Sequence, residues 1–162
     1  MKYILIIVLI ACCTYIGIGV SKYYSKRRYF FSDLVLFMDK LRLDISFSKE
    51  KIGVIIKNFQ EGSRVFEKLK VNFLNILENN HFDEKKLFEG INILKENEKT
   101  TLTIFFKSLG RFDSINQTNQ IKVFKEEIKK LESNCINQYQ KFGSLSIKLG
   151  FIVGVLLALI LV

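Results

Sequence analysis

Two apolar ends decide what this chain can fold into. From Tyr3 to Ser21 it reads YILIIVLIACCTYIGIGVS, nineteen residues without a charge. As a helix that run is about 28 Å long at 1.5 Å per residue, close to the roughly 30 Å of a bilayer's hydrocarbon. The other end, Phe142 to Val162, adds 21 residues with one charge, Lys148, about 31 Å as a helix. All 16 acidic side chains lie between these stretches. The expected organisation is a transmembrane helix over 3–21, a domain over 22–141 and a C-terminal transmembrane helix over 142–162 with no tail beyond it. The middle, about 120 residues, is enough for one hydrophobic core.

Other readings of the first run are weaker. A cleaved signal peptide usually has a shorter apolar stretch. Leu9-Ile10-Ala11-Cys12 looks like the lipid-attachment box of bacterial lipoproteins, but the chain stays apolar through Val20, where a lipoprotein turns polar. A spanning helix accounts for the whole run, the box for half of it. In the second run, Lys148 can extend its stem toward the headgroups. Gly150 and Gly154 form a G-x-x-x-G pair that lets another helix come close.

The flanks give an orientation. Lys22, Lys26, Arg27 and Arg28 follow the first run with no acid before Asp33, and Lys141 precedes the second. Both basic flanks belong to the middle domain, so the positive-inside rule puts it in the cytoplasm and both termini outside. An anionic inner leaflet attracts the same cluster. The net charge of +9 raises nucleic acid as a partner. Much of the excess is juxtamembrane, however, and the remaining charges alternate in sign along helical segments, as in Lys122 to Glu132. That is the pattern of a solvated face, and no nucleic-acid motif accompanies it.

The middle reads as all-α. Zero prolines, where about eight are ordinary, leave helices uninterrupted. Phe30, Leu34, Phe37, Met38, Leu41 and Ile45 fall at three- and four-residue spacing, the stripe of an amphipathic helix. Ser48 is placed to cap a short helix carrying Ile52, Ile55, Ile56 and Phe59. Ser63 starts a third, with Phe66, Leu69, Phe73 and Ile76. After a turn at Asn79–Phe82, Asp83 is a good N-cap for a fourth with Leu87, Phe88, Ile91 and Leu94. A fifth carries Leu102, Phe105, Phe106 and Leu109 and closes at Gly110. Asp113 then opens the last helix. From Ile121 through Phe124, Ile128, Leu131, Cys135, Gln138 and Phe142 to Leu159, one apolar stripe runs at 3/4 spacing. A coiled-coil seam can look like this, and so can a bundle helix that continues into the membrane.

Catalytic signatures are missing from the sequence. It contains no P-loop, no G-x-G-x-x-G, no H-E-x-x-H, no C-x-x-C and no G-x-S-x-G. His81 is the one histidine, in a turn. Cys12 and Cys13 lie in the apolar run, and Cys135 sits on the stripe as a small hydrophobe. Asp83-Glu84 and Glu126-Glu127 are adjacent residues, which diverge around a helix and do not share a site. The expectation is a non-enzymatic protein that works by binding, without cofactor or metal.

The last third carries a more specific pattern: Phe105-x-x-x-Leu109-Gly110-x-x-Asp113-x-x-x-Gln117, then Tyr139, then Lys148-Leu149-Gly150-Phe151-x-x-Gly154. Together with the spanning helix, the Lys22-Tyr23 step and the basic cluster, this resembles the stage III sporulation protein AB family of endospore-forming bacteria over essentially the whole chain. One departure is Phe106, where the family pattern has glycine. The resemblance implies a six-helix antiparallel bundle between two transmembrane helices, similar to the helical domain of type II secretion and type IV pilus platform proteins. It implies a non-enzymatic part of the channel complex between mother cell and forespore. The partners it implies are a secretion-type ATPase (stage III sporulation protein AA) and the other membrane proteins of that complex; the apolar runs and the last-helix stripe themselves add membrane lipid and self-association as expected partners. It also implies structural roles for Leu109 and Gly110 at a helix end, Asp113 as a cap, and Gln117 one turn on. A membrane-anchored regulatory protein dimerising through its last helix is the alternative from another class.

Overall fold

A computed structural model describes residues 2–47, 51–79, 81–110 and 114–161. Helix makes up 86% of it and no strand occurs among the described residues, so the chain is all-α. In chain order the helices are α1 (Lys2–Phe47), α2 (Ile52–Asn58), α3 (Arg64–Glu78), α4 (Glu84–Leu87), α5 (Glu96–Ser108), α6 (Ser114–Gln138) and α7 (Ser144–Leu161), with a π-helical turn (Tyr139–Gly143) joining the last two. Both ends are continuous. Neither proline nor glycine falls between Ser21 and Phe47, so the first apolar run and the first amphipathic stripe form one 46-residue helix.

Two compact units emerge, one made of Met1–Arg28 with Ser133–Val162, the other of Tyr29–Glu132. The second is a helical bundle. Its core draws Phe30, Leu34, Phe37 and Leu41 from α1, Ile55 and Ile56 from α2, and Phe66, Leu69 and Phe73 from α3, all buried. Two groups of rings organise it. Phe37, Phe59 and Phe66 have centroids 5.3 to 5.7 Å apart. Phe73 and Phe106 are 4.7 Å apart, and Phe105 and Phe124 5.5 Å. Such pairs add about 0.5–1.5 kcal/mol each beyond the area they bury. The phenylalanine stripes are therefore core.

Polar groups fix the turn from α2 to α3. The buried Lys70 ammonium donates to the carbonyl of Phe59 and to Glu67, and Asp33 accepts from the Ser63 amide at 2.7 Å. Ser63 precedes α3 but makes no side-chain cap bond, and Ser48 lies outside the described residues.

The fourth helix is shorter than the spacing predicts. Asp83 caps it, accepting from the Lys85 amide at 2.9 Å, but α4 lasts a single turn. Gly90, at φ +68°, takes the left-handed conformation that ends a helix and that other residues adopt only with strain. Asn72 of α3 donates to the carbonyls of Leu87 and Glu89 at 3.0 and 3.2 Å. Ile91, Ile93 and Leu94 follow in non-helical backbone and are still buried. Their apolar spacing marks burial, which an irregular segment achieves as well as a helix.

Candidate functional site

In the unit made of the two chain ends, the apolar part of α1 and α7 cross as an antiparallel pair, and small residues set how closely. A Cβ on Gly150 would lie 2.6 Å from the carbonyl oxygen of Cys13 and 3.4 Å from the Cα of Gly17. One on Gly154 would lie 3.0 Å from the Cα of Ile10. One on Gly17 would run into the carbonyl of Ser146. Backbone therefore meets backbone: no larger side chain fits at Gly17 or Gly150, and at Gly154 one fits only if its neighbours give by a few tenths of an ångström. As the numbering rises from 146 to 154 on α7, the facing residues fall from Gly17 to Ile10, which defines the antiparallel sense. Ala158 continues the packed face.

The opposite faces are apolar and open. Ile4, Ile7, Tyr15 and Ile16 on α1, and Phe151, Ile152, Leu156 and Leu159 on α7, are all more than half exposed or nearly so. In the most apolar 18-residue windows of the two long helices only 6% and 17% of residues are buried. A core helix of a soluble protein would be mostly covered. Both helices are long and apolar enough to cross a membrane. The polar side chains inside the pair are bonded locally: Thr14 donates to the Ile10 carbonyl at 2.8 Å and Ser146 to that of Phe142.

Register changes at the π-helical turn. From Ile121 to this point the buried positions along the last helix are Ile121, Ile128 and Cys135, seven apart. The next is Gly143, eight further on, followed by Gly154 and Ala158. A π-turn holds one residue more than an α-turn and rotates everything beyond it by one position. The apolar stripe expected to run on through Phe142, Leu145, Leu149, Ile152, Leu156 and Leu159 is thereby turned outward, and all six are exposed. The inward face belongs to the small residues. Gly143 has a specific reason to be glycine, since a Cβ there would sit 2.7 Å from the ring of Tyr139.

The basic residues after the first run do not behave alike. Lys22 and Lys26 are exposed, as is Lys148. Arg27 is 2% exposed and donates to the Cys135 sulfur at 3.7 Å. Arg28 stands over the ring of Tyr139 at 4.5 Å, a cation–π contact, and Tyr24 stacks on Phe142 with centroids 5.8 Å apart. The two arginines thus tie α1 to the helix around the π-turn, while the lysines stay outside. Arginine's flat, weakly hydrated head suits the buried role.

Within the bundle unit, the Phe105–Gln117 pattern closes on itself. Gly110 takes φ +80° at the end of α5, and its amide donates to Oε1 of Gln117 on α6 at 3.0 Å. Gln117 is 2% exposed, and its Nε2 is buried without a partner among the described residues. Leu109, next to Gly110 in sequence, and Phe105, one turn before it, are buried too. Asp113 lies outside the described residues. Gly17, Gly143 and Ser146 were not singled out by sequence reasoning, and Tyr139 was only part of the pattern in the last third. The signal for the helix pair was present as Ser146, Gly150, Gly154 and Ala158, four small residues four apart. His81 lines a hollow of about 110 Å³ with Asn72, Asn75, Asn79 and Lys86, well below the roughly 300 Å³ of a small-molecule pocket. No group of three or more His, Cys, Asp or Glu is placed to hold a metal among the described residues.

An open-faced apolar helix pair with six of its seven basic residues toward one end, and a phenylalanine-cored helical bundle, together define a class: all-α proteins with two helices fit to span a membrane. A family model described as stage III sporulation protein AB matches residues 2–162. The chain belongs to the stage III sporulation protein AB family, a family of sporulation proteins. No curated protein and no solved structure matches it.

Proposed function

We propose that the chain is a non-enzymatic platform component of the membrane complex that connects mother cell and forespore during endospore formation. The observation that carries this reading is the family match over residues 2–162, joined to a helix pair whose outer faces are apolar. Such a pair is built for lipid, and the bundle unit carries charged side chains on its surface suited to binding other proteins. The positive-inside rule applied to Lys22, Lys26, Arg28 and Lys141 supports a cytoplasmic bundle on the mother-cell side with both termini outside. The partners proposed there are a secretion-type ATPase (stage III sporulation protein AA) and the other membrane proteins of the complex. The reading of the last helix as a dimerising coiled coil loses support, because Ile121, Ile128 and Cys135 of its seam are buried within the chain itself. The lipoprotein reading would remove Ile10, against which Gly154 packs.

Affinity capture of the full-length chain from sporulating cells tests the proposal. The expected result is co-purification of a secretion-type ATPase and membrane proteins of the same complex. Capture of none of them, with the chain intact in the membrane, would overturn it. A reporter inserted between His81 and Phe82 tests the orientation: a cytoplasmic reporter should be active there and an extracytoplasmic one silent.

A further inference from the structure

The unit formed by the two chain ends holds seven basic residues and no acidic side chain. Of these, Lys141 and Lys148 are exposed, and so is Ser144 between them. Ser144 and Lys148, four apart on α7, share one outward face, and Lys141 lies in the π-turn just before them. Lys148 is the deep member of the ladder. Gly17 faces Ser146 and Ile147 across the helix pair, so Lys148 is level with Ile16, inside the apolar run, and about 10 Å further along its helix than Lys141. An ammonium at that depth needs an anion, and its own unit offers no carboxylate side chain. Side chains on a helix lean toward its N-terminus, which carries the Lys148 head back toward Ser144 and Lys141, at the basic end. Just below, Leu145, Phe151 and Ile152 are exposed and present an apolar surface to an acyl chain.

We propose that Lys141, Ser144 and Lys148 hold the phosphate of an anionic phospholipid in the leaflet at the basic end of the helix pair. The two ammonium groups and the serine hydroxyl donate to the phosphate oxygens, and an acyl chain runs down Leu145 and Ile152. A carboxylate on another protein's membrane helix would satisfy Lys148 but leave Ser144 and Lys141 unused. The proposal rests on the reading that these helices span a membrane.

The test uses the full-length chain, purified in detergent and exposed to equal amounts of phosphatidylglycerol and phosphatidylcholine, with retained lipid counted by native mass spectrometry. Retention of phosphatidylglycerol over phosphatidylcholine is expected, falling about fivefold in Lys148→Gln if the site follows the usual worth of one lysine at an anionic surface. Lys148→Arg should restore it, Lys141→Gln should lower it, and soluble glycerol phosphate should not compete. Lys57→Gln, an exposed lysine of the bundle unit, should leave it unchanged. Far-ultraviolet circular dichroism checks that each variant keeps its helices. Equal retention of both lipids, or an equal loss from Lys57→Gln and Lys148→Gln, would overturn the site. So would an acidic membrane protein, in place of lipid, that departs on Lys148→Gln. Alkaline extraction of membranes separates the two readings. A chain released by alkali overturns the spanning reading and the site together, whereas a chain that stays but shows no lipid preference overturns the site alone.

Discussion

Gln117 is the residue whose role could least be foreseen. It sits seven positions after Gly110, a distance at which no local rule pairs two residues. Only the reversal between α5 and α6 brings its Oε1 to the Gly110 amide. Gln117→Leu keeps the volume and the burial but leaves that amide without its acceptor. It should cost about 1–3 kcal/mol, measured by chemical unfolding of the full chain in detergent, with helicity retained. A loss below a few tenths would mean that water replaces the bond. Asp113 is a different case, a proposal resting on sequence. It precedes a 25-residue helix, where a carboxylate can accept from free amides and complement the dipole. Asp113→Ala should cost about 0.5–2 kcal/mol, and Asp113→Asn or Asp113→Ser much less. If all three variants melt alike while capture of partners fails in each, Asp113 is a contact residue and not a cap.

At the scale of elements, the crossing of α1 and α7 gives the sharpest geometry. A Cβ at position 154 would lie 3.3 Å from the Cβ of Cys13, a few tenths short of the range in which disulfides form, about 3.5–4.5 Å. In a Gly154→Cys chain, with Cys12 and Cys135 changed to serine, mild oxidation should form an intramolecular bridge, read as faster migration on a non-reducing gel. Adding Gly150→Leu, which drives a side chain into the Cys13 carbonyl, should cut the yield severalfold. A yield equal with and without Gly150→Leu would contradict the close approach. The π-turn makes a related demand. It absorbs one extra residue, so deleting Gln140 should turn it into ordinary α-helix and return Cys135 and Gly143 to a seven-residue spacing. The bridge should still form. Inserting a residue at the same point should instead reduce it, because one more position turns the small face away. Sequence periodicity could not reveal this turn, since a single inserted residue leaves the 3/4 pattern of apolar side chains almost as regular as before. Past Gly143 that pattern follows the outward face, and the small residues that contribute no hydropathy signal mark the contact.

For the whole molecule, the legible part was what depends on mean hydropathy and on large side chains. The apolar ends, the lack of strands among the described residues and the phenylalanine core follow from Tyr3–Ser21, Phe142–Val162 and residues such as Phe37, Phe66 and Phe105, whose burial outweighs any local preference. What depends on the exact path of backbone was not legible: the single turn of α4, the buried irregular segment at Ile91–Leu94, and the inward fate of Arg27 among apparently equivalent basic neighbours. Charge divides along the same line as hydropathy. Every acidic residue lies within Tyr29–Glu132, so that unit carries nearly balanced charge, while the excess belongs to the helix pair. The bundle unit also buries its own stripes, with Phe30, Phe66, Leu102 and Ile128 each at 1% exposure or less. Residues 26–141 should therefore fold without the membrane-length segments, and the segment keeps Arg27 with Cys135 and Arg28 with Tyr139. Expressed alone it should be a soluble helical monomer or weak oligomer. The expected circular dichroism spectrum is α-helical, with a single cooperative melt that Phe66→Ala lowers by about 3–5 kcal/mol of stability. A noncooperative melt, or aggregation in the absence of detergent, would mean that the bundle needs the helix pair to hold its core together.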